Sequence, residues 1–443
     1  MALDGQLIQA FRSLAPPENG SDSRLGAWSD EATIISASQR IGDGPTAWAL
    51  QEAREALELV EVSFIGVPDL PRQDIARSLE TLLLDLLMML IAPGSPRLAP
   101  ASIPPMAQAA ARREVPIAQI MHSMRTVQNR WMTALIAATG RTTVNWPSVD
   151  QLLSASTKIF DDEVNGFVEA YLAERKRMLE DHVARRRAAV EALIAGDRLD
   201  PGQAREALGI DLGGFHIGMV ISFPRSVSGG RRERLVRAWA RQMPDASVLV
   251  LPQGRDHLWA WLSTSTAPAV KALHALRLPP DAPPTTRWSI GQPVSGAQGF
   301  RRSHLQAQDL ESLFAKGFRP PPADKSIPQR RRVHLWEDHA LTTALGHDTE
   351  RASWYVQATL GPLAENSAAA EELRQTMWAY VNSGLSLVRA AESRHVHRNT
   401  VVYRVQRIEE LLGHRVKDRT LELHCALLLT RHFGPAVLTQ PKT

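Results

Sequence analysis

Ser386-Leu387-Val388-Arg389-Ala390-Ala391-Glu392-Ser393-Arg394-His395-Val396-His397-Arg398-Asn399-Thr400-Val401-Val402-Tyr403-Arg404-Val405-Gln406-Arg407-Ile408 is the stretch whose reading decides the fold of the C-terminal region. It has the pattern of a helix-turn-helix, in which a short helix and a turn present a longer helix to a DNA major groove about 12 Å wide. Ser386 is suited to N-cap a helix running to about Ser393, because its hydroxyl can accept from a free first-turn amide. Ala390 and Ala391 are small enough for another helix to cross closely. A second helix is expected from about His397. Within it Val401, Val405, Ile408 and Leu412 recur at i, i+4, i+7 and i+11 and form one buried stripe, and Gly413 follows as its natural stop. Its other faces carry His397, Arg398, Asn399, Thr400, Tyr403, Arg404 and Arg407, donors and acceptors suited to base edges and phosphates. From Arg394 to Arg407 there are four arginines and no acid. Alone, such a run is as often a solvated helix face; its place behind a small-residue helix and a short turn favours DNA.

The wider C-terminal region carries a resemblance. Leu373-Arg374-Gln375-Thr376, Tyr380-Val381, Ala390-Ala391, His397-Arg398-Asn399-Thr400, Tyr403-Arg404-Val405, Gly413 and the apolar Leu421 to Leu429 tail stand in the order and spacing of the PucR/CdaR group of bacterial transcriptional regulators. Upstream, Trp336-Glu337-Asp338, Leu341 and Leu360-Gly361-Pro362-Leu363 resemble the segment that precedes the helix-turn-helix in that family, so the resemblance spans Val333 to Leu429. One residue departs from it: Arg394 stands where the family usually has an apolar residue, often Leu, beside the turn. The two-helix unit is also similar to that of the nucleoid protein Fis, which implies dimeric major-groove binding with His397, Arg398, Thr400 and Tyr403 nearest the bases. The resemblance implies a sequence-specific DNA-binding transcriptional regulator. No Walker loop, GxGxxG or GxSxG is present, and His395 and His397 lack third and fourth ligands at metal spacing, so no catalytic activity, cofactor or metal is expected.

Length and composition agree with a multidomain chain. Its 443 residues suffice for two to four domains. Lys plus Arg is 51 against 47 for Asp plus Glu, so basic character must be local. The single cysteine, Cys425, excludes an internal disulfide and a cysteine-based zinc site. Met1 to Gly5 lack the basic start of a signal peptide, and the apolar Leu82 to Ile91 stretch is too short for a bilayer and carries Asp85, so a cytoplasmic location and no membrane partner are expected.

Three regions precede the DNA-binding end. Residues 1–147 read as an all-α bundle, with an apolar helix near Asp74 to Ile91, a proline-rich loop at Ala92 to Pro105 and further helices from about Met106. Pro116 to Trp131 is similar to the helical sensor domain of some family members, of the type seen in stressosome RsbR-like proteins, and a bundle of that kind can hold a small-molecule effector. Residues 148–200 contain no proline and read as one long helix. Leu153, Phe160 and Phe167, with Val164, Tyr171 and Met178 in the other seam position, repeat as a coiled-coil dimer interface requires, which points to a homodimer or higher oligomer. The phase slips by one at Leu179, Val183, Val190 and Leu193. The same spacing also fits a long helix packed on its own bundle.

Residues 201–318 alternate short strands and helices: strands at His216 to Phe223, Ser247 to Leu251, His257 to Leu262 and Trp288 to Gly291, and helices at about Arg231 to Gln242 and Pro268 to Leu276, with a closing helix. The βαββαβ order suggests a ferredoxin-like α/β sheet. Ser289-Ile290-Gly291-Gln292-Pro293, Ser303-His304 and Ala307 resemble the GGDEF-like domain found in the middle of PucR/CdaR proteins. Pro252-Gln253-Gly254-Arg255-Asp256 stands where a diguanylate cyclase needs its glycine and acid turn, so this domain is expected to be non-catalytic. Residues 319–332, with Pro320 to Pro322 and Arg330 to Arg332, read as a basic linker able to add phosphate contacts, and 333–443 as an all-α Fis-like helix-turn-helix domain. The alternative is a signalling or stressosome-like interaction protein whose basic C-terminal domain docks on protein. No catalytic constellation is visible to support an enzyme.

Overall fold

The computed structural model describes residues 5–16, 26–63, 71–92, 94, 98, 103–139, 146–243, 245–320 and 332–440. Two compact units share the chain, residues 1–183 and 184–443. The first is wholly helical among its described residues: α1 (Gly5–Arg12), α2 (Glu31–Ile41), α3 (Asp43–Ser63), α4 (Arg72–Ile91), α5 (Ile103–Arg112), α6 (Ile117–Thr139) and the greater part of α7 (Trp146–Ala195). The apolar α4 lies at its centre, with both faces covered and Leu83, Leu84, Leu86 and Leu87 buried. Its two buried acids have local work. Glu80 accepts the Trp28 and Ser29 amides, the latter at 2.6 Å, and Asp85 accepts the Leu98 amide at 2.7 Å. Among the described residues no helix is long and apolar enough to cross a membrane.

The expected dimer seam on α7 needs correction. Phe160 belongs to the bundle core with Leu83, Leu87 and Trp131, while Phe167 and Tyr171 pack with Ala107, Ala110 and Val115. The Tyr171 hydroxyl donates to the Val115 carbonyl at 2.8 Å. Leu153, Val164 and Met178 are half-buried. Phe160, Phe167 and Tyr171 are enclosed by their own chain and have no face left for a partner, so at these three positions the spacing records intramolecular packing; over three turns a 3.5 repeat and a 3.6 repeat are nearly the same pattern. What remains exposed on α7 is another stripe: Leu172, Leu179 and Val183.

The second unit holds a mixed sheet and a helical C-terminal part. After the end of α7 come α8 (Pro201–Leu208), β1 (Phe215–Ser222), α9 (Gly229–Ala240), β2 (Ser247–Gln253), β3 (His257–Thr264), α10 (Val270–Ala275), β4 (Arg287–Ile290), β5 (Val294–Ser295) and α11 (Gly296–Ala315). The sheet order is β2-β3-β1-β4, antiparallel throughout, with β5 beside the start of β1. β6 (Val333–Leu335) then adds to β4 in parallel. That strand corrects the expected boundary: Val333 to Leu335, assigned from sequence to the DNA-binding domain, complete the edge of the central sheet. Alternation along β1 sends Ile217, Met219 and Ile221 toward α9, where Leu235, Val236 and Trp239 cover them.

On the opposite face α11 crosses β1 closely. A Cβ at Gly218 would come within 2.5 Å of the His304 backbone, and one at Gly291 would overlap the Ser303 carbonyl. The Ser303 hydroxyl accepts the Gly218 amide at 2.7 Å. His304 is fully buried between Trp259 and Trp261, its centroid 4.5 Å from each, and neither ring nitrogen has a hydrogen-bond partner.

The C-terminal part comprises α12 (Trp336–Gly346), α13 (Thr349–Leu360), α14 (Ala368–Asn382), α15 (Leu387–Arg394), α16 (Arg398–Leu412) and α17 (Thr420–Phe433). Its core includes Leu310 and Leu313 of α11 together with Val356, Met377, Ile408 and Leu427. A ring cluster lies at the same place: Phe318 stacks on His432 at 5.1 Å, and His339 meets Phe318 edge-on at 5.3 Å. The linker expectation for Arg330 and Arg331 lies outside the described residues; Arg332 donates to the Ala282 and Pro283 carbonyls at 3.1 and 3.0 Å.

Burial pushes the His304 imidazole down to about 3 and that of His339 to about 4. Both are neutral when folded and, with ordinary values near 6.5 in the unfolded chain, their contribution is complete above that pH and is lost as pH falls toward 4 and below. Each histidine should remove up to about 1.4 kcal/mol of stability per pH unit in that window. Urea unfolding of the full chain followed by tryptophan fluorescence at pH 7.0, 5.5 and 4.5 should show this decline, and His304→Phe should make it shallower. An unchanged slope in the variant would refute the assignment.

Candidate nucleic-acid interface

The two helices and turn form as their residues dictate. Ser386 caps α15 by accepting the Arg389 amide at 3.4 Å, and Ala390, Ala391, Val401 and Val405 make a small apolar cluster with Ala379 of α14. The short side chains of Ala379, Ala390 and Ala391 let the three helices meet there. α15 ends on His395, left-handed at φ +53°, and the Val396 amide reaches back to the Ala391 carbonyl at 3.1 Å. This is a Schellman closure with histidine in the place that glycine favours. His397 then caps α16, its Nδ1 accepting the Asn399 amide at 3.2 Å. At the far end Gly413 is left-handed at φ +70°.

Of the predicted stripe, Val401, Val405 and Ile408 are buried and Leu412 half-buried. His397, Arg398, Asn399, Tyr403 and Arg407 are exposed, Tyr403 by 69%, and Thr400 is half-buried. Arg404 has a different place. Its guanidinium pairs with the Glu372 carboxylate of α14 and lies 3.4 Å from the Thr376 hydroxyl, with 18% of the side chain exposed. Arg407 makes only an exposed pair with Glu410 at 2.9 Å, an arrangement worth little against solvent. Of the expected residues, Asn399, Tyr403 and Arg407 recur at four-residue spacing along one exposed side of α16, His397 and Arg398 are exposed at its start, Thr400 is half-buried, and Arg404 turns to α14.

Some cations were not singled out from sequence. Arg389 is exposed in the first turns of α15, and Arg415, Lys417 and Arg419 are exposed just past α16. The basic run after Gly413 is the signal that could have found the last three. Arg374 is the opposite case, a cation with a structural task. Its side chain is 4% exposed, and its Nη1 donates to the Leu363 and Glu365 carbonyls at 2.6 and 2.7 Å while Nε and Nη2 reach Glu371. This fixes the start of α14 to the 3-10 turn Gly361–Ala364. At the departure from the family pattern, the Nε of half-buried Arg394 has no hydrogen-bond partner.

Known proteins match this chain in the same regions. The PucR C-terminal helix-turn-helix domain matches residues 373–429, and the GGDEF-like domain matches residues 197–311. A purine catabolism regulatory protein of Bacillus subtilis (strain 168) is 37% identical over 79 residues, 17% of this chain and 15% of that protein's length. An uncharacterised protein from the pkwA 5' region of Thermomonospora curvata is 31% identical over 154 residues, 30% of this chain and 83% of that protein. Among solved structures, a regulator of polyketide synthase expression from Bifidobacterium adolescentis aligns over 56% of this chain and 98% of its own, with 20% identity and a TM-score of 0.28.

Replacing Arg374 by Met keeps the stem and removes the donors to two inward-facing carbonyls. The expected cost is about 2–3 kcal/mol, read as a lower urea midpoint for loss of the C-terminal helices and as weaker amide protection in α14. A midpoint within error of wild type would show that the clamp is not what fixes this turn.

Proposed function

The chain belongs to the PucR/CdaR family of regulators, and from that premise we propose that it is a sequence-specific DNA-binding transcriptional regulator that seats α16 in the major groove. The observation that carries the reading is the exposed side of α16: Asn399, Tyr403 and Arg407 line it opposite the anchoring Val401, Val405 and Ile408, and Arg398 is exposed at the helix start. Arg398, Asn399 and Tyr403, with His397 and Thr400, address bases near the helix start, and Arg407 addresses phosphate. Arg404 positions the helix through Glu372 and stays out of the groove. Arg389, Arg415 and Lys417 extend the phosphate contacts.

We read the β2-β3-β1-β4 sheet as a ferredoxin-like, GGDEF-like domain without cyclase activity. The turn between β2 and β3 presents Gly254-Arg255-Asp256, and its one carboxylate is engaged by His257 Nδ1 at 2.9 Å and faced by Arg225 at 3.6 Å. The N-terminal bundle is the sensing domain, acted on by a small-molecule effector, and the location is the cytoplasm.

Specific binding is testable by mobility shift on genomic fragments. Arg398→Ala should cost about 1–3 kcal/mol at the preferred site. Arg407→Ala should weaken all sequences alike and make the salt slope shallower by about one. Equal specific affinity of wild type and an Arg398→Ala/Thr400→Ala double variant would refute the interface.

A single recognition helix buries too little surface to select a site, so two copies must act together, with half-sites about 34 Å apart or a multiple of it. With the Phe160 and Phe167 face enclosed, pairing falls to the exposed stripe of Leu172, Leu179 and Val183. In a parallel pair these take seam positions, and Arg175 of one copy stands opposite Glu180 of the other, a favourable flank in both directions. Sedimentation velocity at micromolar concentration should show a dimer for wild type and a monomer for Leu179→Glu/Val183→Glu. A monomeric wild type, or a dimeric variant, would overturn this assignment.

A further inference from the structure

A hollow of about 320 Å³ opens where the start of α14, the end of α17 and the chain just after α11 meet. It lies wholly within the second unit, and no described residue of α15 or α16 lines it. Sites for small molecules begin at about this size, near 300 Å³. Three guanidinium groups face one carboxylate in its wall: Arg319, Arg374 and Arg431 against Glu371.

The acid is already engaged. Glu371 accepts from Arg374 Nε and Nη2 at 3.1 and 2.9 Å and from the Gln375 amide at 2.8 Å, and Arg374 gives its Nη1 to two carbonyls of this chain. The other two guanidiniums have no such partner: among the described residues no carbonyl, carboxylate or hydroxyl accepts from the side chain of Arg319 or Arg431. Both residues are nevertheless held in place. The Arg431 guanidinium lies 5.0 Å from the centroid of the Trp378 ring, a contact that uses its face and leaves its N–H edges available. The Arg319 amide donates to the His432 carbonyl at 2.7 Å, and His432 Nδ1 donates to the Arg319 carbonyl at 3.0 Å. That two-way join sets residue 319 beside the last turn of α17, next to Arg431.

Two like charges on one concave wall without a counter-charge raise each other's energy, and an anion between them removes that cost. A guanidinium presents parallel N–H donors that match the oxygens of a carboxylate or a phosphate. Leu427, Pro435 and Leu438 complete the wall with apolar surface, which suits a short hydrocarbon body. We propose that this hollow binds a small organic dianion, a dicarboxylate or a phosphate monoester, gripped by Arg319 and Arg431. A ligand there touches α14, the helix whose Glu372 holds Arg404 of α16. The site is thus separate from the sensing role assigned to the N-terminal bundle and lies one helix away from the DNA-addressing side.

Calorimetric titration of the full chain without DNA tests it, at low salt where exposed charges are least screened. The probes are glutarate and glycerol 3-phosphate, with glutaramide and glycerol as their neutral counterparts. At least one dianion should bind at least about tenfold more tightly than its neutral counterpart, and the stronger of the two identifies the head group. Arg319→Gln/Arg431→Gln should lose that binding. Arg351→Gln, which removes an exposed cation of α13, should keep it. Should the double variant misfold by circular dichroism, Arg431→Lys, which keeps the charge and loses the planar fork, takes its place and should weaken binding. No heat from either dianion, neutral counterparts that bind as tightly, unchanged binding in the double variant, or an equal loss in Arg351→Gln would overturn the proposal. If neither dianion binds while the double variant weakens the mobility shift, the two guanidiniums are contacts for DNA phosphate and the ligand site falls. With no DNA in the titration, its result is independent of how α16 reads an operator.

Discussion

The close crossing of α11 over β1 is the constraint on which the second unit depends. Gly218 and Gly291 have no Cβ because the backbone of Ser303 and His304 occupies that space, and the Ser303 hydroxyl caps the contact on the Gly218 amide. The consequence runs along the helix. Its first turns put Phe300 against Trp261, rings 4.4 Å apart and nearly parallel, while its last turns put Leu310 and Leu313 into the core of the C-terminal helices. One helix therefore serves two cores, and the depth at which it sits on the sheet fixes where the second core begins. Glu311 strengthens the join by accepting from Arg287 and from the Ser289 hydroxyl at 2.7 Å, both on β4.

The arginines of the C-terminal part divide by their surroundings. Arg374 and Arg404 are largely withdrawn from solvent and spend their donors on carbonyls and carboxylates of this chain, whereas Arg398 and Arg407 stand outward with donors available. A planar guanidinium with five donors suits either task, and only burial decides which. Spacing does not carry that decision. Arg404 and Arg407 are three apart on one helix and look equivalent in the sequence, yet α14 lies against one of them and not the other.

This marks the limit of what the residues disclose. The two helices, the cap at Ser386, the start of the second helix near His397, the stop at Gly413 and the buried stripe of α16 were legible, because each follows from local chemistry within a few residues. The four main strands were legible to within two residues, since alternation and turn signals are also local. The α7 seam was misread because Phe160, Phe167 and Tyr171 show only that a face is buried, not whose side chains bury it. β6 was missed for a related reason: three residues beside a parallel partner more than forty positions upstream give no periodic signal. The hollow lined by Arg319 and Arg431 lies further still from reading, being formed by three segments distant in sequence.

The turn of the helix-turn-helix carries two unfavourable local features. His395 holds a left-handed conformation that glycine adopts more easily, and Arg394 beside it keeps a buried Nε without an acceptor. A left-handed non-glycine residue costs about 1–2 kcal/mol and an orphaned buried donor about 1–3 kcal/mol. Both are carried by the packing of Ala390, Ala391, Val401 and Val405, which holds α15 and α16 together on either side. Strain of this kind persists only where surrounding contacts over-determine the geometry. Here those contacts are the alanines that let three helices approach, which is why small residues at 379, 390 and 391 matter to the orientation of α16 as much as any residue on its outward face.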